Sequence, residues 1–271
     1  MKITIVGMGT IGSKLAIYLL SKGIEVCCIT TRMPDEVKER LWSMFIKRNP
    51  ETTVDKSMIQ ISNSYSIAIG SDLIIDASAE SYEVKESVYS SINQNVSGST
   101  VIATTTSSLS IEKLSLVARP SVLMGLHFFN PPDKMKLVEV TYSKENKRIV
   151  DSLLDVLQQL LVDKQFIVMP MVQGYICNRI LFVYLNASFN YHLATDISFS
   201  DIDTAMELGT NVPMGPFKLS DYIGNDITLS ILDQFYKELN EDQYKPSPLI
   251  EEVVGSGKLG RKVMRGFYEY E

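Results

Sequence analysis

Three features of the sequence predict an α/β chain, with a doubly wound, mainly parallel sheet followed by an all-helical C-terminal domain. A strand-like run at the start, Lys2-Ile-Thr-Ile-Val6, passes directly into Gly7-Met8-Gly9-Thr10-Ile11-Gly12 and then into a helical pattern closed by Gly23. Further short apolar runs, EVCCIT, DLIIDA, TVIA, VLMGLHFF and QFIVM, alternate with helix-patterned stretches up to Pro170. Beyond Pro170 the pattern is helical, beginning with the long apolar stretch YICNRILFVYLNASFNYHLA. Strand, glycine-rich turn and helix in this order predict a Rossmann-type first domain, and regular strand–helix alternation predicts parallel pairing. We set the boundary at Pro170, giving a dinucleotide-binding domain over 1–169 and a helical substrate-binding and dimerisation domain over 170–271.

Composition narrows the function classes. The chain of 271 residues is 45% hydrophobic and 21% charged, the balance of a globular protein with a sizeable core. A net charge of −6 argues against nucleic-acid partners and against a basic membrane-surface patch. No apolar run approaches the roughly 20 residues that span a bilayer. The N-terminus lacks the apolar core of a signal peptide, and the expected location is cytoplasmic. Three cysteines, two of them adjacent at Cys27 and Cys28, form neither a disulfide framework nor a metal-ligand spacing, so no metal is expected.

The glycines of the first turn have separate tasks. Gly7 permits the tight turn, Gly9 lets the backbone approach a pyrophosphate, and Gly12 lets helix and strand pack closely. The N–H groups at the helix start, from Thr10, Ile11 and Gly12, then hold the phosphates. The second strand ends in Thr30-Thr31-Arg32, with no acid until Asp35. Hydroxyls and an arginine suit a 2′-phosphate better than a bare ribose, which favours NADP slightly over NAD. A helix over DEVKERLWSMFIKR, a polar stretch at Asn49-Pro50 and a short strand near Ile59 follow. Ala79 and Glu80 fall just past the end of the DLIIDA strand, and Lys85 lies on the next helix. Thr105 and Ser107 occupy the hydroxyl-rich turn after TVIA. Ligands in such sheets bind beyond the strand carboxyl ends, so Glu80, Ser107 and His127 are candidate contacts. In the helical part, Ser200 and Gly209 are the expected caps of the helix over FSDIDTAMELG.

The stretch GLHFFNPPDKMKLVEV carries the chemistry. It holds His127, one of only two histidines, and a carboxylate, Glu139, twelve positions later. Asn130-Pro131-Pro132 breaks regular structure between two strand-like halves. Antiparallel return of the second half brings His127 and Glu139 together, and an imidazole with a carboxylate on its far nitrogen is an oriented general base. The other histidine, His192, lies among apolar helical residues and reads as structural.

Along essentially its whole length the chain resembles the 3-hydroxyacyl-CoA dehydrogenases, including the bacterial 3-hydroxybutyryl-CoA dehydrogenases. The matching stretches are IVGMGTIG, ATTTSSLSI, GLHFFNPPDKMKLVEV, GYICNRIL, SDIDTAMELGTNVPMGPFKLSDYIG and GSGKLGRKVMRGFYEY. The resemblance implies that His127 is the catalytic base and Glu139 its acidic partner. It also implies that Ser107 and Asn178 bind substrate, that Glu80 and Lys85 face the cofactor, and that Asn130 belongs to the HFFNP signature beside it. The implied reaction is oxidation of a 3-hydroxyacyl thioester to a 3-oxoacyl thioester with NAD or NADP, in a homodimer joined through the helical domain.

The chain also departs from the family pattern. The acid after the second strand is missing, and Thr104-Thr105-Thr106 stands where the family usually has an asparagine in the turn. The connection between the second and third strands is shorter than the family's helical hairpin, which helps hold the nucleotide end of CoA. A substrate on acyl carrier protein lacks that nucleotide, and Lys38, Arg40, Lys47 and Arg48 would suit an acidic carrier. The alternatives are therefore a carrier-protein dehydrogenase of polyketide extender-unit biosynthesis, a dehydrogenase of free hydroxyacids, and a non-catalytic dinucleotide sensor.

Overall fold

The computed structural model describes residues 1–98 and 100–271 and divides into two compact units, Met1–Tyr175 and Ile176–Glu271. In the first unit, β1 (Ile3–Val6), α1 (Thr10–Ser21), β2 (Val26–Ile29), α2 (Pro34–Arg48), β3 (Ile59–Ser62), β4 (Leu73–Asp76), α3 (Tyr82–Asn93), β5 (Val101–Thr104), α4 (Ile111–Val117), β6 (Val122–Phe128), β7 (Leu137–Tyr142), α5 (Lys147–Leu160) and β8 (Gln165–Met169) follow in order. They form one eight-stranded sheet ordered β3-β2-β1-β4-β5-β6-β7-β8. Every neighbouring pair is parallel except β6 and β7. The order reverses between β1 and β4, the place where such sheets open a ligand crevice. The expected doubly wound, mainly parallel sheet is what the chain forms.

Strand alternation assigns the two sheet faces. Ile3, Ile5, Leu73, Ile75, Met124, Leu126, Phe128, Val138 and Val140 pack in one layer with α1, α2 and α5. Val6, Ile74, Ile102 and Leu123 pack in the other with α3 and α4. With a side-chain period of two, Gly125, His127, Glu139 and Thr141 fall on this second face. The antiparallel register sets Gly125 opposite Thr141 and His127 opposite Glu139.

The second unit contains most of α6 (Tyr175–Thr195), then α7 (Phe199–Thr210), α8 (Pro216–Ile223), α9 (Asn225–Leu239) and α10 (Pro248–Gly255). Its core is built from Phe182, Leu185, Phe189, Phe217, Leu232 and Phe235 with their neighbours. The C-terminal tail is tied down by Asp221, which accepts from the N–H of Phe267 and Tyr268 and from the Tyr270 hydroxyl. His192 rests against Phe199, with Nδ1 2.8 Å from the Ile197 carbonyl. The α7 caps differ from expectation. Ser198, not Ser200, is the N-cap, accepting from the Asp201 N–H at 3.1 Å. Asn211, at φ 59°, ends the helix, and Gly209 lies inside it. Asparagine tolerates the left-handed region well enough to replace glycine there. Among the described residues no helix is long and apolar enough to cross a membrane.

Candidate active site

The glycine-rich turn is built as its residue types require. Gly7 has φ +94°, and a Cβ there would sit 2.6 Å from the Ala77 carbonyl oxygen. A Cβ on Gly12 would meet the Gly7 carbonyl oxygen at 1.9 Å, so α1 packs against β1 only because that position is glycine. A Cβ on Gly9 would meet nothing within 4 Å, and Gly9 and Thr10 are exposed. Gly9 is the α1 N-cap and no side chain caps it, which leaves an open cradle at a helix N-terminus. The residues present fit a dinucleotide diphosphate.

Three cations brace this region in a way the sequence did not announce. Arg40 on α2 donates to the Met8 carbonyl at 3.0 Å and to Ser13 Oγ at 3.2 Å. Lys14 on α1 donates to Asn130 Oδ1 at 2.8 Å, and Arg48 lies 3.5 Å from Asp133. The basic residues expected to face a carrier protein are thus partly committed: Arg40 and Arg48 serve the nucleotide loop and the Asn130–Asp133 loop. At the end of β2, Thr31 and Arg32 are exposed, while Thr30 is buried and its Oγ1 accepts from the Arg32 N–H. Asn63, past β3, donates to the Thr30 and Arg32 carbonyls and so fixes the path of this turn.

Glu80 and Lys85 sit differently from one another. Glu80 Oε1 accepts from Thr106 Oγ1 (2.7 Å), the Ser107 N–H (2.8 Å), the Ser108 N–H (2.9 Å) and Ser108 Oγ (3.0 Å). It therefore organises the turn that carries Ser107. Ala79 beside it is exposed, and the N–H of Thr105 is held by the Asp76 carbonyl. Lys85 departs from the expectation of a cofactor contact. It is fully buried, and its ammonium donates to Asp76 Oδ2 at 2.8 Å. Asp76 also accepts from Tyr89, Ser78 and Thr104. A buried lysine requires such a partner, so in this structure its charge is occupied beneath the sheet ends.

At the end of β6 the expected pair is formed. His127 Nδ1 is 2.8 Å from Glu139 Oε2, and both side chains are almost wholly buried. Ser107 Oγ is 3.0 Å from the other ring nitrogen, Nε2. A carboxylate on Nδ1 retains the proton there, which makes Nε2 an acceptor for the serine hydroxyl. The three residues come from the turn after β5, from β6 and from β7, with β6 paired to both of its neighbours. Two rings enclose the imidazole. Phe129 meets it edge-on at 4.7 Å between centroids, and Tyr175 stacks on it at 4.6 Å and 15°. Sequence reasoning missed Tyr175. Its one signal was Gly125, since a glycine inside a strand marks a close approach. Asn178, buried on the first turn of α6, belongs to the second unit.

Known proteins share this architecture throughout. A family model described as 3-hydroxyacyl-CoA dehydrogenase, NAD binding domain, matches residues 2–171, and its companion for the C-terminal domain matches residues 174–270. A 3-hydroxybutyryl-CoA dehydrogenase of Clostridioides difficile is 32% identical, over 100% of this chain and 99% of that protein. The mitochondrial hydroxyacyl-coenzyme A dehydrogenase of Rattus norvegicus is 32% identical, over 99% of this chain and 91% of its own length. Among solved structures, the (S)-3-hydroxybutyryl-CoA dehydrogenase of Ralstonia eutropha superposes with a TM-score of 0.89 at 32% identity, covering 100% of this chain and 99% of that one. With both domains matched in order, a dinucleotide cradle at the first glycines and a paired histidine at the sheet end, the chain belongs to the 3-hydroxyacyl-CoA dehydrogenase family.

Proposed function

We propose that this protein is an NAD(P)-dependent dehydrogenase that interconverts a 3-hydroxyacyl thioester and its 3-oxoacyl thioester, with CoA as the expected carrier. The observation that carries the reading is the chain Ser107 Oγ–His127 Nε2–His127 Nδ1–Glu139 at the carboxyl end of β6. Imidazole ordinarily titrates at about 6.5, so it can take and return a proton near neutrality. His127 accepts the proton of the substrate hydroxyl at Nε2, and Glu139 holds the Nδ1–H and stabilises the cation that forms. Ser107, whose turn is held by Glu80, orients the substrate oxygen at the same nitrogen. The first-turn backbone at Gly9, Thr10, Ile11 and Gly12 would hold the cofactor diphosphate, and Thr30, Thr31 and Arg32 its adenosine end. The nicotinamide, when bound, supplies the hydride acceptor or donor. Asn178 as a ligand of the substrate oxygens is carried by the family resemblance alone.

Replacing His127 with Gln is expected to abolish turnover of 3-hydroxybutyryl-CoA while NADH and NADPH affinities persist. Full turnover by that variant would overturn the assignment. Arg32, exposed after a strand that lacks a following acid, supports NADP over NAD; separate fluorescence titrations with NADH and NADPH test this. Exposed Ile180, Tyr191, Leu193 and Leu208 in the second unit support a homodimer, which sedimentation would reveal. One observation favours a second substrate reading: α2 is the sole α-helix between β2 and β3, with one 3-10 turn at Lys56–Met58. So short a connection suits a substrate on acyl carrier protein, and equal or better turnover of the CoA ester would refute that reading.

A further inference from the structure

Two hydrogen bonds do not fully orient an imidazole. The Glu139 and Ser107 contacts lie at the two ring nitrogens, 2.8 and 3.0 Å away, and support the ring along its edge, not on its faces. Rocking about the side-chain torsions swings the Nε2 lone pair, which lies in the ring plane, away from its proton donor. Something must hold the plane, and a residue outside the hydrogen-bonded chain is in place to do so. Tyr175 lies flat on the imidazole, 4.6 Å between centroids with 15° between planes, while Phe129 abuts the ring by its edge.

The tyrosine is built in with some strain. It is 1% exposed, its backbone has φ 55°, and its hydroxyl is buried without a hydrogen-bond partner. The sheet makes room for it at Gly125, where a Cβ would come within 2.4 Å of the Tyr175 hydroxyl oxygen. A left-handed non-glycine backbone and an orphaned buried hydroxyl both oppose folding, so the position is held by its surroundings. Burial, with the Glu80 and Glu139 carboxylates nearby, raises the phenol well above its usual titration range and keeps it neutral. The useful part is therefore the ring. Its electron-rich face holds the imidazole plane and favours the cation formed when Nε2 gains a proton.

We infer that Tyr175 is a positioning residue for His127, acting through the face of its ring and not through its hydroxyl. The inference rests on His127 being the proton acceptor. It assigns a kinetic task to a side chain that is 1% exposed and stacked on the imidazole.

The test compares Tyr175→Phe, Tyr175→Leu and Tyr175→Met in the full-length protein, with acetoacetyl-CoA reduction at saturating cofactor as the assay. Phe keeps the ring and is expected to match wild-type kcat with an equal or higher melting temperature. Leu and Met fill the space without a ring and are expected to lower kcat by about threefold to thirtyfold, the range of a partly desolvated cation–π contact, with KM and cofactor affinity unchanged. Full kcat in a folded Leu or Met variant overturns the inference. So does equal damage in Phe, which would make the hydroxyl the active part. Unfolding of both non-aromatic variants overturns it too, because the ring would then serve the fold alone. Failure of the underlying assignment shows separately, as turnover surviving in His127→Gln.

Discussion

The buried Asp76–Lys85 pair offers the sharpest separation of scaffold from cofactor site. The two side chains are 0% and 1% exposed, with 2.8 Å between Nζ and Oδ2. Replacing Asp76 with Asn removes the countercharge and leaves the ammonium buried, which costs about 3–5 kcal/mol. Across a unit of this size that is a melting decrease of roughly 10 °C. Replacing Lys85 with Met is milder. Asp76 keeps the Tyr89 and Thr104 hydroxyls and both donors of Ser78, and the methionine refills the space of the lysine stem. The expected loss is about 1–3 kcal/mol. Both variants would be followed by thermal denaturation and by NADH and NADPH titration. We expect the asymmetry in stability, with Lys85→Met keeping wild-type cofactor affinity. A Lys85→Met protein that melts like wild type but binds cofactor about ten times more weakly would refute the scaffold reading and return Lys85 to the cofactor.

Other substitutions probe the same construction. Glu80→Gln weakens four bonds to the Thr106–Ser108 turn, and kcat/KM is expected to fall about tenfold through Ser107 with little change in cofactor affinity. Gly125→Ala forces a Cβ against Tyr175, Ile111 and Thr141 at 2.4–2.8 Å. It should cost about 1–3 kcal/mol in urea unfolding, partly recovered by adding Tyr175→Phe, which removes the nearest atom. Glu207 accepts from Lys218 and from the Gly215 N–H, and these contacts hold its carboxyl below the usual 4.5. A depressed folded-state value means the contribution is complete above 4.5 and is lost as pH falls through the lower folded value. The urea-midpoint gap between wild type and Glu207→Gln should hold steady near neutrality and close in acid; a gap that widens in acid would refute the sign.

Local pattern made much of this protein legible. Strand–turn–helix around Gly7, Gly9 and Gly12 is a short-range code, because each glycine answers a clash or an approach within its own βα unit. The His127–Glu139 pair was also readable, since a single proline break between two strand-like halves leaves few registers. What the sequence could not convey depends on contacts between segments far apart along the chain. Lys85 resembled a ligand-facing lysine until the packing of α3 turned it onto Asp76. Arg40 and Arg48 resembled cations suited to an acidic carrier until α2 docked beside the nucleotide loop. Tyr175 was one apolar residue among many, and became the cover of the imidazole only because Gly125, fifty positions earlier, left the second sheet face open to it. Periodicity specifies which face a side chain takes; only the folded sheet decides what meets it there, because the partner is chosen by three-dimensional packing and not by spacing along the chain.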